Sequence, residues 1–384
     1  MRILIAHNAY KHKGGEDSVV ETEIELLRQN GHEVDVFLKH NDKTDNMSRL
    51  SLAANTFWST RSVKEIRRLI SAKRPDVIHV HNTLPIISPA IYWIADKENI
   101  PIVQTLHNFR LMCPQAMFLR NNQICEDCLG KTPWRAIPRR CYRNSVAQST
   151  VLAGMVTAHR IMGTWRNKVT RYIALNEFCK KLFIAGGLPP ERVVVKPNFV
   201  DFAPPPHAAR SSFLFVGRLS IEKGIDTLAK AALIAKTCSI SVAGTGPEAN
   251  VLRLSPNISA LGALSGTQVR ERMASSKALI LPSIWYENFP RTLVEAFACG
   301  LPVIASRLGA LTELVEDGVT GLLFEPGNAE DLARKLRWAE EHSAELSVMG
   351  NNARAHYEAN FTADINYQQL ISIYSEAIAE AAEK

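Results

Sequence analysis

No apolar run in this 384-residue chain approaches the roughly 18 to 20 residues needed to span a bilayer. The opening MRILIAHNAY turns polar at His7 and Asn8, too early for the apolar core of a signal peptide. That points to a first strand and to a chain made and kept in the cytosol. Low-complexity tracts and repeats of fixed period are absent, which points to a folded protein rather than a disordered chain or a solenoid. The GTGP of residues 244–247 lacks the third glycine of a dinucleotide fingerprint. No nucleic-acid-binding motif is present, so nucleic acid is not an expected partner.

What is present is an ordinary globular composition, 46% hydrophobic and 22% charged, over a length that suggests two domains rather than one core. Charge is unevenly divided. Residues 1–200 hold 29 Lys and Arg against 17 Asp and Glu, a net +12, while residues 201–384 hold 16 against 21, a net −5. Basic surface attracts phosphate-bearing partners such as an anionic membrane or a pyrophosphate-linked substrate.

Short apolar runs alternate with segments of helical length. Residues 2–7, 34–38, 76–81, 101–107, 172–175 and 193–198 read as strands, and 16–30, 61–73, 88–98 and 177–186 as helices. Buried parallel strands read as unbroken Val/Ile/Leu runs, and intervening helices imply right-handed crossovers. Residues 198–212, NFVDFAPPPHAARSS, break the periodicity and read as a linker. The alternation resumes at 212–217, 239–244, 278–283 and 302–306, predicting two doubly wound α/β domains whose strand ends face each other across a cleft. Domain one spans 1–200 and domain two 201–360. A terminal helix at 361–384 is expected to pack back on domain one, and residues 109–150 look like an insertion in it.

Unusual chemistry gathers at strand ends. Gly14 and Gly15 open the first helix, where backbone N–H groups can approach an anion or simply make a tight turn. His81 and His107 end successive strands, where a histidine can meet a ligand hydroxyl or serve the core. Arg218 and Lys223 flank the turn into a helix expected to begin near Lys223. The helix macrodipole disfavours cations there, and a bound phosphate would explain them. In YENFPRTLVE, Glu287 precedes and Glu295 follows Pro290, read as the first helical residue with the N–H groups of Phe289, Arg291 and Thr292 at the helix start. The pair suits a plain, well-started surface helix, or carboxylates that accept hydrogen bonds from sugar diols.

Taken together, FVGRLSIEKGIDTL, VAGTGPE, LPSIWYENFPRTLVEAFACGLPVIAS and TELVEDGVTGLLFEPGN resemble the family 4 glycosyltransferases. GGEDSVVETEIELLRQNGHEVDVF, RPDVIHVHN and QTLHNFRLMCP extend the resemblance over the first domain. It implies a GT-B fold and metal-independent transfer of a sugar, with retention, from a UDP- or GDP-sugar. It further implies that Arg218 and Lys223 bind the diphosphate, beside Gly217 and the helix start at Thr292. Glu295 would hold the ribose, and Glu287 a hydroxyl of the transferred sugar. The backbone of Asn288, Phe289 and Pro290 would face sugar and phosphate, His107 would lie by the sugar, and Gly15 near phosphate and acceptor. Asn288 departs from the glycine frequent in the family, which narrows the sugar pocket.

Of seven cysteines, Cys113, Cys125, Cys128 and Cys141 fall within 29 residues, spacing that suits structural zinc, with free thiols or disulfides as alternatives. Lys131, Trp134, Arg135, Arg139, Arg140, Tyr142 and Arg143 interleave base and aromatic in the same insertion. They suit a membrane interface or a pyrophosphate. The expectation is an enzyme of bacterial surface-polysaccharide assembly, cytoplasmic or peripheral on the inner face of the membrane, acting on a glycan or polyprenyl-pyrophosphate-linked acceptor. An epimerase or phosphorylase of the same fold, or a non-catalytic sugar-binding protein, are the competing readings.

Overall fold

The computed structural model describes every residue except His12, Lys13, Pro204, Pro205, His207 and Lys384. The chain divides into two compact units, one of Met1–Met117, Glu126–Pro197 and Asn366–Lys384, the other of Phe118–Cys125 and Asn198–Ile365. The expected three-proline linker runs over Pro204, Pro205 and His207, which lie outside the described residues. On either side, 196–203 and 208–211 belong to no strand or helix.

In the first unit, β1 (Arg2–Ala9), β2 (Glu33–His40), β3 (Val77–Asn82), β4 (Ile102–Thr105), β5 (Arg171–Ala174) and β6 (Val193–Val195) form one sheet. Their order is β2-β1-β3-β4-β5-β6, every pair parallel. β1 is buried along all but its first residue, as a strand covered on both faces requires. Helix α1 (Gly15–Gln29) buries Val19, Val20, Glu23, Leu26 and Leu27, a helical stripe with one carboxylate in it. Of the expected insertion, the short 3-10 turn at Pro133–Ala136 belongs to this unit, while the two-stranded antiparallel pair, Leu119–Arg120 with Gln123–Ile124, falls in the second.

The second unit repeats the plan with β7 (Ser212–Val216), β8 (Ile240–Ala243), β9 (Ile258–Gly262), β10 (Ser276–Leu281), β11 (Val303–Ser306) and β12 (Gly321–Phe324). The order is β9-β8-β7-β10-β11-β12, again all parallel. Phe213, Phe215, Ile240, Val242 and Ile280 pack with Leu228, Leu332 and Leu336 in its core. β9 and β12 are strands that hydrophobic patterning did not reveal. β9 is an edge strand with two exposed residues and no apolar run, and β12 is a buried four-residue strand, GLLF, at the opposite edge.

Two helix starts differ from expectation. Ile221–Lys223 form a 3-10 turn, and α2 (Ile225–Ile234) begins only after Gly224. Gly224 is left-handed at φ 71°, and a Cβ there would come within 1.8 Å of the Pro282 carbonyl oxygen, so the helix cannot run back through it. Pro290 is the extended residue before α3 (Arg291–Ala298), not its first helical one, with ψ at 107°. The last helix, α4 (Ala363–Ala382), contributes the buried Asn366, Leu370, Ile373, Tyr374 and Ala377.

Candidate active site

Open α/β sheets bind ligands beyond the carboxyl ends of the strands, where strand order reverses. In the second unit that point lies between β7 and β10, and the loops leaving them carry Gly217, Arg218 and Lys223 on one side and Glu287 to Pro290 on the other. Lys223 Nζ donates to Glu287 Oε1 at 2.7 Å. Ser283 Oγ and Trp285 Nε1 donate to the same oxygen at 2.6 and 3.0 Å, and Lys223 also lies 5.4 Å from the centre of the Trp285 ring. Three donors orient a carboxylate that is only 4% exposed. Arg218 is exposed and has no acidic partner among the described residues, an uncompensated cation on the loop that also carries Lys223.

Lys223 depends on close backbone contacts. Besides Gly224, Gly244 at the end of β8 would bring a Cβ within 1.8 Å of the Gly217 carbonyl oxygen. The segment before α3 is anchored by Phe289, whose ring meets Phe361 edge-on at 5.9 Å, which leaves its backbone rather than its side chain for a ligand. Asn288 is buried, and Thr292 is half-buried in the first turn, where amide groups lack intrahelical acceptors. Glu295 accepts from Arg291 Nε at 3.1 Å. Burial pushes its carboxyl above the ordinary range, against the pull of Arg291.

In the first unit the order reverses between β1 and β3, and α1 begins there. Gly15 is exposed, and a Cβ on it would meet nothing within 4 Å. Asp17 ties the turn down: its carboxylate accepts from the Gly14 amide at 2.8 Å and pairs with His7 Nε2 at 2.8 Å. Glu16 accepts from the Tyr10 hydroxyl at 2.9 Å. Burial, opposed by that hydrogen bond and reinforced by Asp17, pushes the Glu16 carboxyl up to about 8.

His107 proves to be part of a buried polar chain. Its Nε2 lies 2.9 Å from His81 Nδ1, and His81 Nε2 lies 3.5 Å from Glu23 Oε1. His79 Nδ1 is 3.0 Å from the same oxygen and 2.6 Å from the Tyr374 hydroxyl, and its Nε2 is 2.8 Å from Thr105 Oγ1. Lys196 Nζ reaches Glu23 Oε2 at 3.3 Å and Asn366 Oδ1 at 2.9 Å. Glu23, His79 and His81 are the one group of ligating side chains among the described residues whose donor atoms lie within 4.8 Å of one another. The fully buried Lys196 ammonium already supplies the cation that Glu23 needs. Burial opposes the charge on Glu23, but Lys196 and His79 together hold its carboxyl well below the usual range.

Glu23 and Lys196 were not foreseen. A carboxylate inside the apolar stripe of α1 was the available signal for the first; Lys196 had none. Cys113, Cys128 and Cys141 lie in the first unit, form no disulfide and are not gathered into a ligating group, and Cys125 falls in the second unit.

Two doubly wound units, each with polar residues at its strand-order reversal, define a GT-B protein. Residues 13–203 match the family model described as Glycosyltransferase Family 4, and residues 202–356 the model described as Glycosyl transferases group 1. The chain belongs to the family 4 glycosyltransferases. It is 24% identical over 317 residues to the sulfoquinovosyl transferase SQD2 of Arabidopsis thaliana, a match covering 78% of this chain and 56% of that protein's length. It is 24% identical over 348 residues to an uncharacterized 42.6 kDa protein in the cps region of Klebsiella pneumoniae, covering 81% and 86%. Anabaena HepE, solved in complex with UDP, superposes with a TM-score of 0.71 at 19% identity over 98% of this chain and 100% of that one, a likeness of fold.

Proposed function

We propose that this protein transfers a sugar from a nucleotide-sugar donor to a hydroxyl of a glycan or lipid-linked oligosaccharide, with retention at the anomeric carbon and without a catalytic metal. The observation that carries the reading is the Lys223–Glu287 pair at the strand-order reversal of the second unit, with the exposed Arg218 on the same loop as Lys223. A diphosphate leaving group develops negative charge as its bond to the sugar breaks, and fixed cations stabilise that charge without reorganising. Arg218 and Lys223 supply them, aided by the amides of Gly217 and Thr292. Glu287, its Oε1 already engaged by three donors, turns its other oxygen to a sugar hydroxyl. Glu295 accepts from the ribose, the backbone of Asn288, Phe289 and Pro290 lines the donor, and His107 and Gly15 contact sugar, phosphate or acceptor. The C1–O bond to the diphosphate breaks as the acceptor oxygen bonds to C1, and the acceptor proton passes to a phosphate oxygen.

Thermal-shift titration with UDP-, GDP- and ADP-sugars tests the donor site, since a ligand of the folded state raises Tm by mass action. Product anomers read by NMR test retention. Sugar nucleotide hydrolysed or isomerised with no acceptor glycosylated would instead support an epimerase-type activity. The cps-region relative supports polysaccharide assembly as the setting. The basic first half supports a peripheral site on the inner membrane face, and no helix among the described residues is long and apolar enough to cross one. The case for zinc on Cys113, Cys125, Cys128 and Cys141 is their spacing alone. Metal analysis finding about one zinc per chain, lost on Cys128→Ser, is the result that reading requires.

A further inference from the structure

We infer that Glu23 and His81 are positioning residues that hold His107 as one tautomer, with its Nε2 protonated and its Nδ1 free to accept a hydrogen bond from a substrate hydroxyl. The inference rests on the proposed role of His107 in transfer and deepens it. His81 Nε2 is buried and lacks an ordinary hydrogen-bond partner, yet it faces Glu23 Oε1 at 3.5 Å, an oxygen that His79 Nδ1 also approaches at 3.0 Å. A lone pair on Nε2 would confront a carboxylate oxygen there, whereas an N–H would be attracted to it, so the proton of His81 belongs on Nε2.

A neutral imidazole carries one proton. With it on Nε2, His81 Nδ1 is an acceptor, and at 2.9 Å its partner His107 Nε2 must donate. The alternative, a charged His81 donating at both nitrogens, is opposed by its surroundings. Burial first, and then the neighbouring His79 ring, depress His81 to about 3 in spite of Glu23. Burial and His81 likewise hold His107 neutral, well below its ordinary value. The single proton of His107 is therefore committed to Nε2. Its Nδ1 takes no hydrogen bond from any described residue and remains an acceptor on a half-buried side chain. Lys196 and Asn366 complete the chain by keeping Glu23 ionised, and so keeping the whole relay polarised in one direction.

The direct test is a long-range proton–nitrogen NMR correlation on the 15N-histidine-labelled full chain at neutral pH, with the His107 signals identified by their loss in His107→Gln. Expected is an unprotonated Nδ1 and a protonated Nε2; the reverse tautomer, or a charged ring, overturns the relay. This reading needs no donor, so it stands whether or not transfer is found, and absence of transfer counts against the activity on which the inference rests. Two variants then test the coupling. His81→Phe removes the acceptor, and it is expected to mix the His107 tautomers and to lower kcat about tenfold with KM for the donor changed less than threefold. His81→Asn places an amide oxygen near the position of Nδ1 and is expected to restore both, which a packing role alone would not do. Failure of His81→Asn to restore the tautomer, wild-type kcat in His81→Phe, or a metal ion bound stoichiometrically between Glu23, His79 and His81 each overturns it. Should His81→Phe not fold, the wild-type and His81→Asn spectra still decide.

Discussion

Arg218 carries no structural burden: it is exposed and lacks an acidic partner among the described residues. Arg218→Ala is therefore expected to leave Tm unchanged while lowering transfer by about a hundredfold, the usual scale for losing one preorganised charge. Equal activity in the variant would remove Arg218 from the donor site. Gly15 offers a similar separation. A methyl group there touches nothing in the chain, so Gly15→Ala is expected to fold normally and to lose activity about tenfold or more, because the added Cβ meets only the approaching ligand. A normal rate would mean that no ligand comes close to this backbone.

Glu16 belongs at the same scale and gives a pH dependence. Its carboxyl is pushed up from 4.5 to about 8 by burial, so between those values the folded chain holds a proton that the unfolded chain has released. Stability from this group is complete below about pH 4.5, falls as pH rises and is lost above about pH 8. Melting curves of the wild type and Glu16→Gln at pH 5 and pH 8.5 check the sign: the wild type should lose more Tm over the interval than the variant.

At the scale of elements, the turn between β7 and α2 holds Lys223 in place through Gly224. Gly224→Ala forces a Cβ onto the Pro282 carbonyl in a left-handed conformation, and a loss of more than about 2 kcal/mol is expected in denaturant unfolding. This requirement was not legible from hydrophobic pattern, since a glycine beside a 3-10 turn looks like any loop glycine. The strands were another matter. β1 and β7 were readable because their unbroken apolar runs report local burial, and β2 because its run of β-branched and aromatic residues persists although Val36 and Leu38 are exposed at the sheet edge, whereas β9, also at an edge, has no such run. Pro290 was misplaced by one residue because proline's fixed φ suits both the cap and the first turn, and only ψ separates them.

At the scale of the whole chain, α4 returns residues from the C-terminal end to the first unit. The Tyr374 hydroxyl meets His79 at 2.6 Å, 295 residues away in sequence, and Asn366 links Lys196 to the Pro197 carbonyl. Tyr374→Phe is expected to cost about 1–3 kcal/mol, the penalty of a buried polar partner left unmet, measured by chemical denaturation. The charge asymmetry acts on the same scale. If the basic half meets an anionic surface, sedimentation with phosphatidylglycerol vesicles should fall steeply as salt is raised and vanish with neutral lipid.

By itself, the sequence determined the two α/β units, the family and the strand-end positions of Arg218, Lys223 and Glu287, because burial period and motif spacing are properties of neighbouring residues. Only the tertiary structure decided that Lys223 and Glu287 meet, that Gly224 delays the helix, and that Glu23, His81, His107 and Lys196 form one chain. Glu23 and Lys196 stand 173 residues apart, and no local pattern encodes which distant charge compensates a buried one. That choice is made by packing, where an ion removed from water must find its partner or not be buried at all.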